Sequence, residues 1–343
     1  MDLAVLGADF AVAALLSLLV TPLGIRLAWI TGYLDHPEAR KLHTSATALL
    51  GGAVVFAVAL LVWLTAHRWL GRPADSEATF LVTGAFLALG LGLWDDRFGM
   101  NPLIKLAGQA AAAGILMASG AVPDFGLGFP WDGLIAVVCI VGLMNAVNFL
   151  DNMNGMVAGL AAIALAGFGL LSAWRGATGL AAAQFAVSGA CLGFLRYNFP
   201  RARVFLGDAG SLFLGYSLGA SAMLALGAIP RSWSWAGVLL ILAYPVFDLI
   251  FVVVNRLREG RKIYVGGKDH SNHRIARLLK CQKTTVMWMW ASGAALCASG
   301  LVVLSLNRPA VTLPLSALWI ILFLLTGLRL SFEPSLPHDP PRP

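Results

Sequence analysis

The chain has 343 residues, 59% of them hydrophobic and 12% charged, with a mean hydropathy of +0.79 and a formal net charge of +7. A soluble domain carries roughly a quarter charged residues, so an ordinary soluble globular protein is excluded, and so is a nucleic-acid-binding module despite the positive balance. Cys139, Cys191, Cys281 and Cys297 stand in or beside apolar runs without paired spacing. They read as small buried hydrophobes rather than as a disulfide framework or a metal site.

A bilayer core asks for about 20 consecutive, mostly apolar residues per helix. Eleven runs qualify: 3–24, 48–70, 78–94, 103–120, 133–149, 155–174, 178–197, 210–228, 235–255, 284–306 and 311–330. The first lacks a basic n-region and a convincing cleavage site, so it is expected to be a retained helix. Solidly apolar runs argue against a transmembrane β-barrel. The expected fold is all-α and polytopic, a single transmembrane domain over 1–331 followed by a disordered tail over 332–343. Nineteen of the twenty-four Lys and Arg fall on one set of alternate loops and five on the other, which places the N-terminus outside and the C-terminus in the cytoplasm.

The costly polar residues cluster on the nineteen-charge side. Asp95 and Asp96 close the third run and Lys105 opens the fourth; two adjacent carboxylates suggest either a divalent cation or a solvated helix end. Asn145, Asn148, Asp151 and Asn154 recur every three residues at the end of the fifth run, so they are expected to share a helical face, lining a cavity or bonding helix to helix. Phe205-Leu206-Gly207-Asp208-Ala209-Gly210-Ser211 opens the eighth run, where helix-start amides suit a phosphate, unless Asp208 is only an N-cap.

A basic stretch from Arg256 to Lys283 holds Arg261, Lys262, Lys268, Asp269, His270, His273 and Arg274. It suits anionic lipid or a polyanionic substrate, and two histidines one turn apart make a weak metal signal. Asp248 lies inside the ninth run, where an intramembrane carboxylate serves function or braces the bundle. Carboxylates, glycine-framed amides and a basic loop at one face suit a magnesium-bound polyphosphate, since magnesium needs only one or two protein carboxylates. No Walker A motif is present, which argues against an ATP-driven pump.

These pieces, in this order, carry a resemblance. GYLDHPEARKLH at 32–43, Asp95-Asp96 with Lys105 and Gln109, NAVNFLDNMNG at 145–155, Asn198, VFLGDAGSLFLG at 204–215, Pro245, Asp248, Arg256 and DHSNHR at 269–274 span most of the chain. The sequence resembles the polyprenyl-phosphate N-acetylhexosamine-1-phosphate transferases, a glycosyltransferase family 4 group. The eleven runs fit the undecaprenyl-phosphate N-acetylglucosamine-1-phosphate transferase branch better than the phospho-N-acetylmuramoyl-pentapeptide branch.

The resemblance implies transfer of a sugar-1-phosphate from a UDP-amino sugar to undecaprenyl or another polyprenyl phosphate, with UMP released. That is a first membrane step of a cell-envelope glycan, run at the cytoplasmic face of the inner (plasma) membrane. It also implies Mg2+, with Mn2+ as an alternative, held by Asp208 and Asp151. Asp95, Asp96, Lys105 and Asp151 are the implied catalytic residues, the acidic pair positioning or deprotonating the lipid phosphate. The implied substrate-binding residues are Asn148, Asn154, Asn198, Phe205 (stacking on uracil), Gly207, Arg261, His270, His273 and Arg274. The expected catalytic loops are about 95–102, 150–155, 198–210 and 256–283, and a homodimer is left open.

The chain departs from the family pattern where Asp151-Asn152-Met153-Asn154-Gly155 replaces Asp-Gly-x-Asp-Gly. It departs again where Thr47-Ala48 replaces Thr-Pro, and where the histidine signature shrinks to His270 and His273. Another UDP-N-acetylhexosamine or UDP-MurNAc-pentapeptide therefore stays open as donor. A secondary transporter or lipid flippase is the alternative from another class, although transporter sites lie near the midplane between broken helices.

Overall fold

The computed structural model describes residues 3–36, 46–69, 75–120, 122–229, 232–262, 267 and 269–333. It is all-α apart from one two-residue hairpin. In chain order, α1 is Leu3–Thr31, β1 Leu34–Asp35, β2 Thr47–Ala48, α2 Gly51–Trp69, α3 Ser76–Phe98, α4 Pro102–Met117 and α5 Trp131–Leu150. There follow α6 Met156–Trp174, α7 Thr178–Asn198, α8 Gly207–Ala228, α9 Trp235–Ile241, α10 Ala243–Arg258, α11 Ser271–Leu279, α12 Gln282–Leu306 and α13 Pro309–Ser331.

Eight of these helices are long and apolar enough to cross a membrane: α1, α3, α5, α6, α7, α8, α12 and α13. Apolar stretches of α2 and α4 are shorter, and α9 with α10 forms a pair bent by 71°. The apolar run expected over 235–255 is thus broken within its length. Pro245 sits in the first turn of α10 and has no N–H to offer the carbonyl four residues back, so the helix breaks ahead of it at Leu242.

Helix α8 is the centre of the bundle: its whole apolar window is buried, whereas α13 is almost bare on its outside. Lipid tails are as apolar as leucine, so helices in a bilayer associate through close packing of small residues and through hydrogen bonds. Both appear here. A Cβ at Gly92 of α3 would stand 2.3 Å from Ala209 Cα, and one at Gly52 of α2 would stand 2.2 Å from Gly210 N. Across the core, Ser172 donates to Gln184 Oε1 at 2.8 Å and Gln184 Nε2 donates to Ser221 Oγ at 2.9 Å, joining α6, α7 and α8.

The segment before α8 is threaded into the start of α2. Strand β1 pairs antiparallel with β2, Leu34 opposite Ala48, and Ala48 makes a parallel bridge to Val204. Phe205 N donates to Ala48 O at 2.8 Å, and the first amides of α2, Gly51 and Gly52, donate to Phe205 O and Leu206 O at 3.0 and 2.9 Å. The orphan donors at a helix start are thus met by the strand that leads into α8. Arg97 clamps the hairpin from α3, donating to Thr31 O and Gly32 O while lying over the Tyr33 ring.

The reading of all four cysteines as buried needs correction. The cysteines divide: Cys191 and Cys297 are buried, but Cys139 and Cys281 are exposed. Of the expected tail only Phe332 and Glu333 lie within the described residues, as do only parts of the 32–43 motif and of the 256–283 loop.

Because the obstacles at Gly52 and Gly92 are backbone, Gly52→Ala and Gly92→Ala are each expected to cost about 1–3 kcal/mol. Gly90→Ala, where a Cβ meets nothing within 4 Å, should leave the midpoint unchanged or slightly raised. Thermal unfolding in detergent measures all three.

Candidate active site at the converging helix ends

The ends of α3 and α5 and the starts of α4 and α8 meet at one place. Neighbouring positions on a helix diverge by roughly 100°, so Asp95 and Asp96 do not share a direction. Asp96 turns to the start of α8, where Oδ1 accepts from Asp208 N at 2.8 Å and Oδ2 from Ala209 N at 3.0 Å. The α8 amides expected to cradle a phosphate are therefore already taken, and the anion at this positive helix end is a carboxylate of the protein itself. Asp208 is correspondingly not an N-cap. It stands one residue into the helix, and Asp96 does the capping from α3.

Gly207, expected to bind substrate, makes that contact possible. Its φ is +74°, a region open to glycine, and a Cβ there would lie 2.6 Å from Asp96 Oδ2.

Asp95 faces Lys105 instead. The Lys105 ammonium lies 2.7 Å from Asp95 Oδ2 and 2.6 Å from Asp208 Oδ2, bridging α3, α4 and α8. Asn148 completes the Asp208 environment: its Nδ2 is 2.8 Å from Asp208 Oδ1 and 2.8 Å from Ser211 Oγ. Asp208 nevertheless keeps 35% of its side chain exposed, which leaves it open to a ligand. Behind this, Gln109 and Asn145 exchange hydrogen bonds at 2.8 and 3.4 Å.

Helix α5 ends at Leu150, so the expected four-residue stripe is two residues long, Asn145 and Asn148. Asp151 is the cap residue beyond it, half-buried, and its carboxylate accepts no hydrogen bond among the described residues. Burial and then the nearby Asp208 charge push this carboxyl up to about 7.

The turn carrying Asp151 is held from three sides. Asn198 Oδ1 accepts from Gly155 N at 2.7 Å while its Nδ2 donates to Val204 O at 2.9 Å. Asn154 Nδ2 donates to Pro200 O at 3.1 Å, and Asn272 Nδ2 donates to Asn152 Oδ1 at 2.7 Å. Asn198, expected to touch substrate, is thus a buried clip with both ends of its amide engaged. Asn154 ties one loop to another. Phe205 is half-buried, and its backbone joins β2 to α2.

The basic stretch departs most from expectation. Asp269 receives a bidentate pair from Arg256 at 2.8 and 2.8 Å and a third contact from Arg261 at 3.0 Å. Arg261 also meets Glu259 at 2.7 Å. Arg274 is buried, with Nη1 donating to Leu330 O and Glu333 O at 2.9 Å each and Nη2 3.9 Å from Glu259 Oε1, so it closes the end of α13. His270 and His273 pack with ring centroids 6.3 Å apart, His270 bonded to Asp248. Among the described residues no three His, Cys, Asp or Glu side chains gather as a metal site. Lys268 lies outside the described residues.

Sequence reasoning gave no role to Gln109, Ser211, Asn152, Asn272 or the Arg256–Asp269 pair. Helical spacing signals some of them: Gln109 is four residues after Lys105, and Ser211 three after Asp208. Nothing local predicts the Asn152–Asn272 bond, which joins positions 120 residues apart.

The fold and site together define a polytopic α-helical membrane protein with a lysine-bridged carboxylate cluster at the helix ends. Residues 78–226 match the family model described as Glycosyl transferase family 4. The chain is 32% identical over 310 residues to the decaprenyl-phosphate N-acetylglucosaminephosphotransferase of Mycobacterium tuberculosis, covering 78% of this chain and 76% of that protein. It is 28% identical over 329 residues to the probable undecaprenyl-phosphate N-acetylglucosaminyl 1-phosphate transferase of Bacillus subtilis, covering 92% and 87%. It is 26% identical over 266 residues to the undecaprenyl-phosphate alpha-N-acetylglucosaminyl 1-phosphate transferase of Escherichia coli, covering 74% and 71%. The chain belongs to glycosyl transferase family 4.

Burial alone would raise the Asp269 carboxyl, but the Arg256 guanidinium and then Arg261 outweigh it and hold the group at about 2. A carboxyl depressed in the folded state contributes stability that is complete above its unfolded value of about 4 and is lost as pH falls through about 2. Asp269→Asn removes the carboxylate that the buried Arg256 guanidinium grips with two hydrogen bonds, so a cost of about 3–5 kcal/mol is expected at pH 7. The gap between variant and parent should close as the pH approaches 2, read by unfolding midpoints across pH.

Proposed function

We propose that the chain transfers N-acetylglucosamine-1-phosphate from its UDP conjugate to a polyprenyl phosphate. An oxygen of the lipid phosphate attacks the β-phosphorus, the bond from that phosphorus to the bridging oxygen breaks, and UMP leaves with the α-phosphate. The observation that carries this reading is the Lys105 ammonium held between Asp95 and Asp208, beside Asn148, where four helices converge. The functions printed for the relatives support the choice of donor and acceptor.

The residues suit this chemistry. A phosphate monoester is already ionised near neutral pH, so positioning and charge neutralisation carry more of the barrier than a strong base does. Lys105 supplies one fixed positive charge for the phosphates. Asp96, both oxygens occupied by amides, sets the direction of Asp208 and does not take a proton from the lipid. Asp95 orients Lys105. Asp151 and Asn148 border the approach to Asp208, and Phe205 stands two residues before the start of α8 to stack on a base.

Magnesium fits the donor set. Asp208 and Asp151 are hard oxygen ligands, and Asp151 carries an unbonded carboxylate destabilised first by burial and then by the Asp208 charge. Two carboxylates suffice for an ion that keeps several waters. When bound, it would neutralise phosphate oxygens of the donor.

The reading includes eleven spans, with α2, α4 and the bent α9–α10 pair each counted as one. The N-terminus is then outside, and the site lies on the cytoplasmic side of the plasma membrane, as the Lys and Arg distribution supports. The transporter alternative is set aside. The broken α9–α10 pair is a feature transporters share, but the polar load sits at helix ends rather than at the midplane.

Purified protein given a polyprenyl phosphate, magnesium and a panel of UDP-amino sugars should release UMP, most with the N-acetylglucosamine donor. Chelation should stop it. Asp208→Asn should lower the rate at least about a hundredfold with an unfolding midpoint near the parent's. Folded protein that releases no UMP with any donor would contradict the reading.

A further inference from the structure

Asp248 is a buried carboxylate that the transfer chemistry above leaves unused. It is 2% exposed, six residues past the Leu242 break, and it collects three donors. His270 Nδ1 lies 2.7 Å from Oδ2, while Ser271 N at 2.8 Å and Ser271 Oγ at 2.5 Å both reach Oδ1. The Tyr244 hydroxyl stands 3.2 Å from Ser271 Oγ, and since Ser271 gives its proton to Asp248, Tyr244 is the donor in that contact.

A carboxylate accepts and does not donate, so the arrangement fixes the protons. The His270 hydrogen is on Nδ1, and the ring's other nitrogen, Nε2, makes no hydrogen bond among the described residues. The hydrogen bond at one ring nitrogen sets the role of the other. The same carboxylate caps α11 from a different helix, because Ser271 is its first residue and no side chain of its own segment caps it. The next residue, Asn272, donates to Asn152 Oδ1 at 2.7 Å, one position from Asp151.

We propose that Asp248 is a positioning residue for the transfer, holding His270 in the tautomer that leaves Nε2 as a hydrogen-bond acceptor for a hydroxyl of the donor's sugar, and setting α11 so that Asn272 steadies the Asp151 turn. This rests on the phosphotransferase reading above. A plain bundle brace would need neither the aligned His270 ring nor the register of α11.

The variant Asp248→Asn separates the two roles. It keeps an oxygen for Ser271 and nearly the same volume, but places an amide donor against Nδ1, which moves the ring hydrogen to Nε2. In protein labelled with 15N-histidine, the parent His270 signal, assigned by its loss in His270→Ala, should show Nδ1 protonated, and D248N should show the reverse. The kcat/KM for the UDP-sugar should fall about 10–100-fold in D248N, the range seen when the partner of a functional histidine is removed. It should fall comparably in His270→Ala, and D248N should add less than about twofold in the His270→Ala background.

A parent His270 protonated on Nε2 would overturn the proposal, whether or not the variants fold. So would losses that multiply in the double variant, or a folded D248N with unchanged kcat/KM. A parent that releases no UMP defeats the transferase reading instead, and the 15N spectrum still decides the Asp248–His270 arrangement.

Discussion

The contact between the Asp96 carboxylate and the first amides of α8 organises the rest of the structure. The apolar window of helix α8 is buried throughout, so the amides at its head need partners within the protein, and an unmet buried donor costs about 1–3 kcal/mol. Asp96 reaches them only because Gly207 has no Cβ and takes a positive φ, and because Gly92 and Gly52 let α3 and α2 touch the α8 backbone. Once Asp96 is committed, Asp95 is turned roughly 100° away, toward Lys105. The acidic pair that looked self-repelling in the sequence is resolved by giving each member a different positive partner, one a helix end and one an ammonium.

From that contact follows a division between a rigid frame and open groups. Asp96, Asn198 and Asn154 have hydrogen-bonding partners within the protein and hold three loops in register. Asp208 keeps part of its surface and Asp151 keeps its carboxylate unbonded, next to each other in charge if not in chain. The unbonded Asp151 carboxylate, raised by burial and then by the Asp208 charge, weakens the fold near neutral pH, which is the behaviour expected of a group whose partner is a ligand. The basic stretch repeats the division. Arg256, Arg261 and Arg274 are spent on Asp269, Glu259 and the end of α13, while His270 keeps one ring nitrogen unbonded.

Much of this was legible in the sequence. The apolar runs marked the helices because a bilayer dictates their length. Asp95, Lys105, Asn148 and Asp208 were recognisable as a group, since charged and amide side chains at apolar helix ends need a reason to be there. What was not legible depends on rotation and distance in sequence. The letters Asp95-Asp96 do not reveal which carboxylate turns to α8. The three-residue rhythm from Asn145 to Asn154 runs past the helix end at Leu150, so it promised a stripe that the backbone does not make. Arginines in a loop read as phosphate ligands until Asp269, Glu259 and the carbonyls of Leu330 and Glu333 are found beside them. Asp248 was left undecided between brace and function because its partners lie more than twenty residues away.

The most direct test of the central claim follows the two phosphorus atoms of the donor. With UDP-N-acetylglucosamine carrying distinguishable labels on its α- and β-phosphates, the account predicts that the β-label enters the polyprenyl lipid with the sugar while the α-label leaves as UMP. Recovery of both labels together in released UDP, with unphosphorylated sugar joined to the lipid, would contradict it.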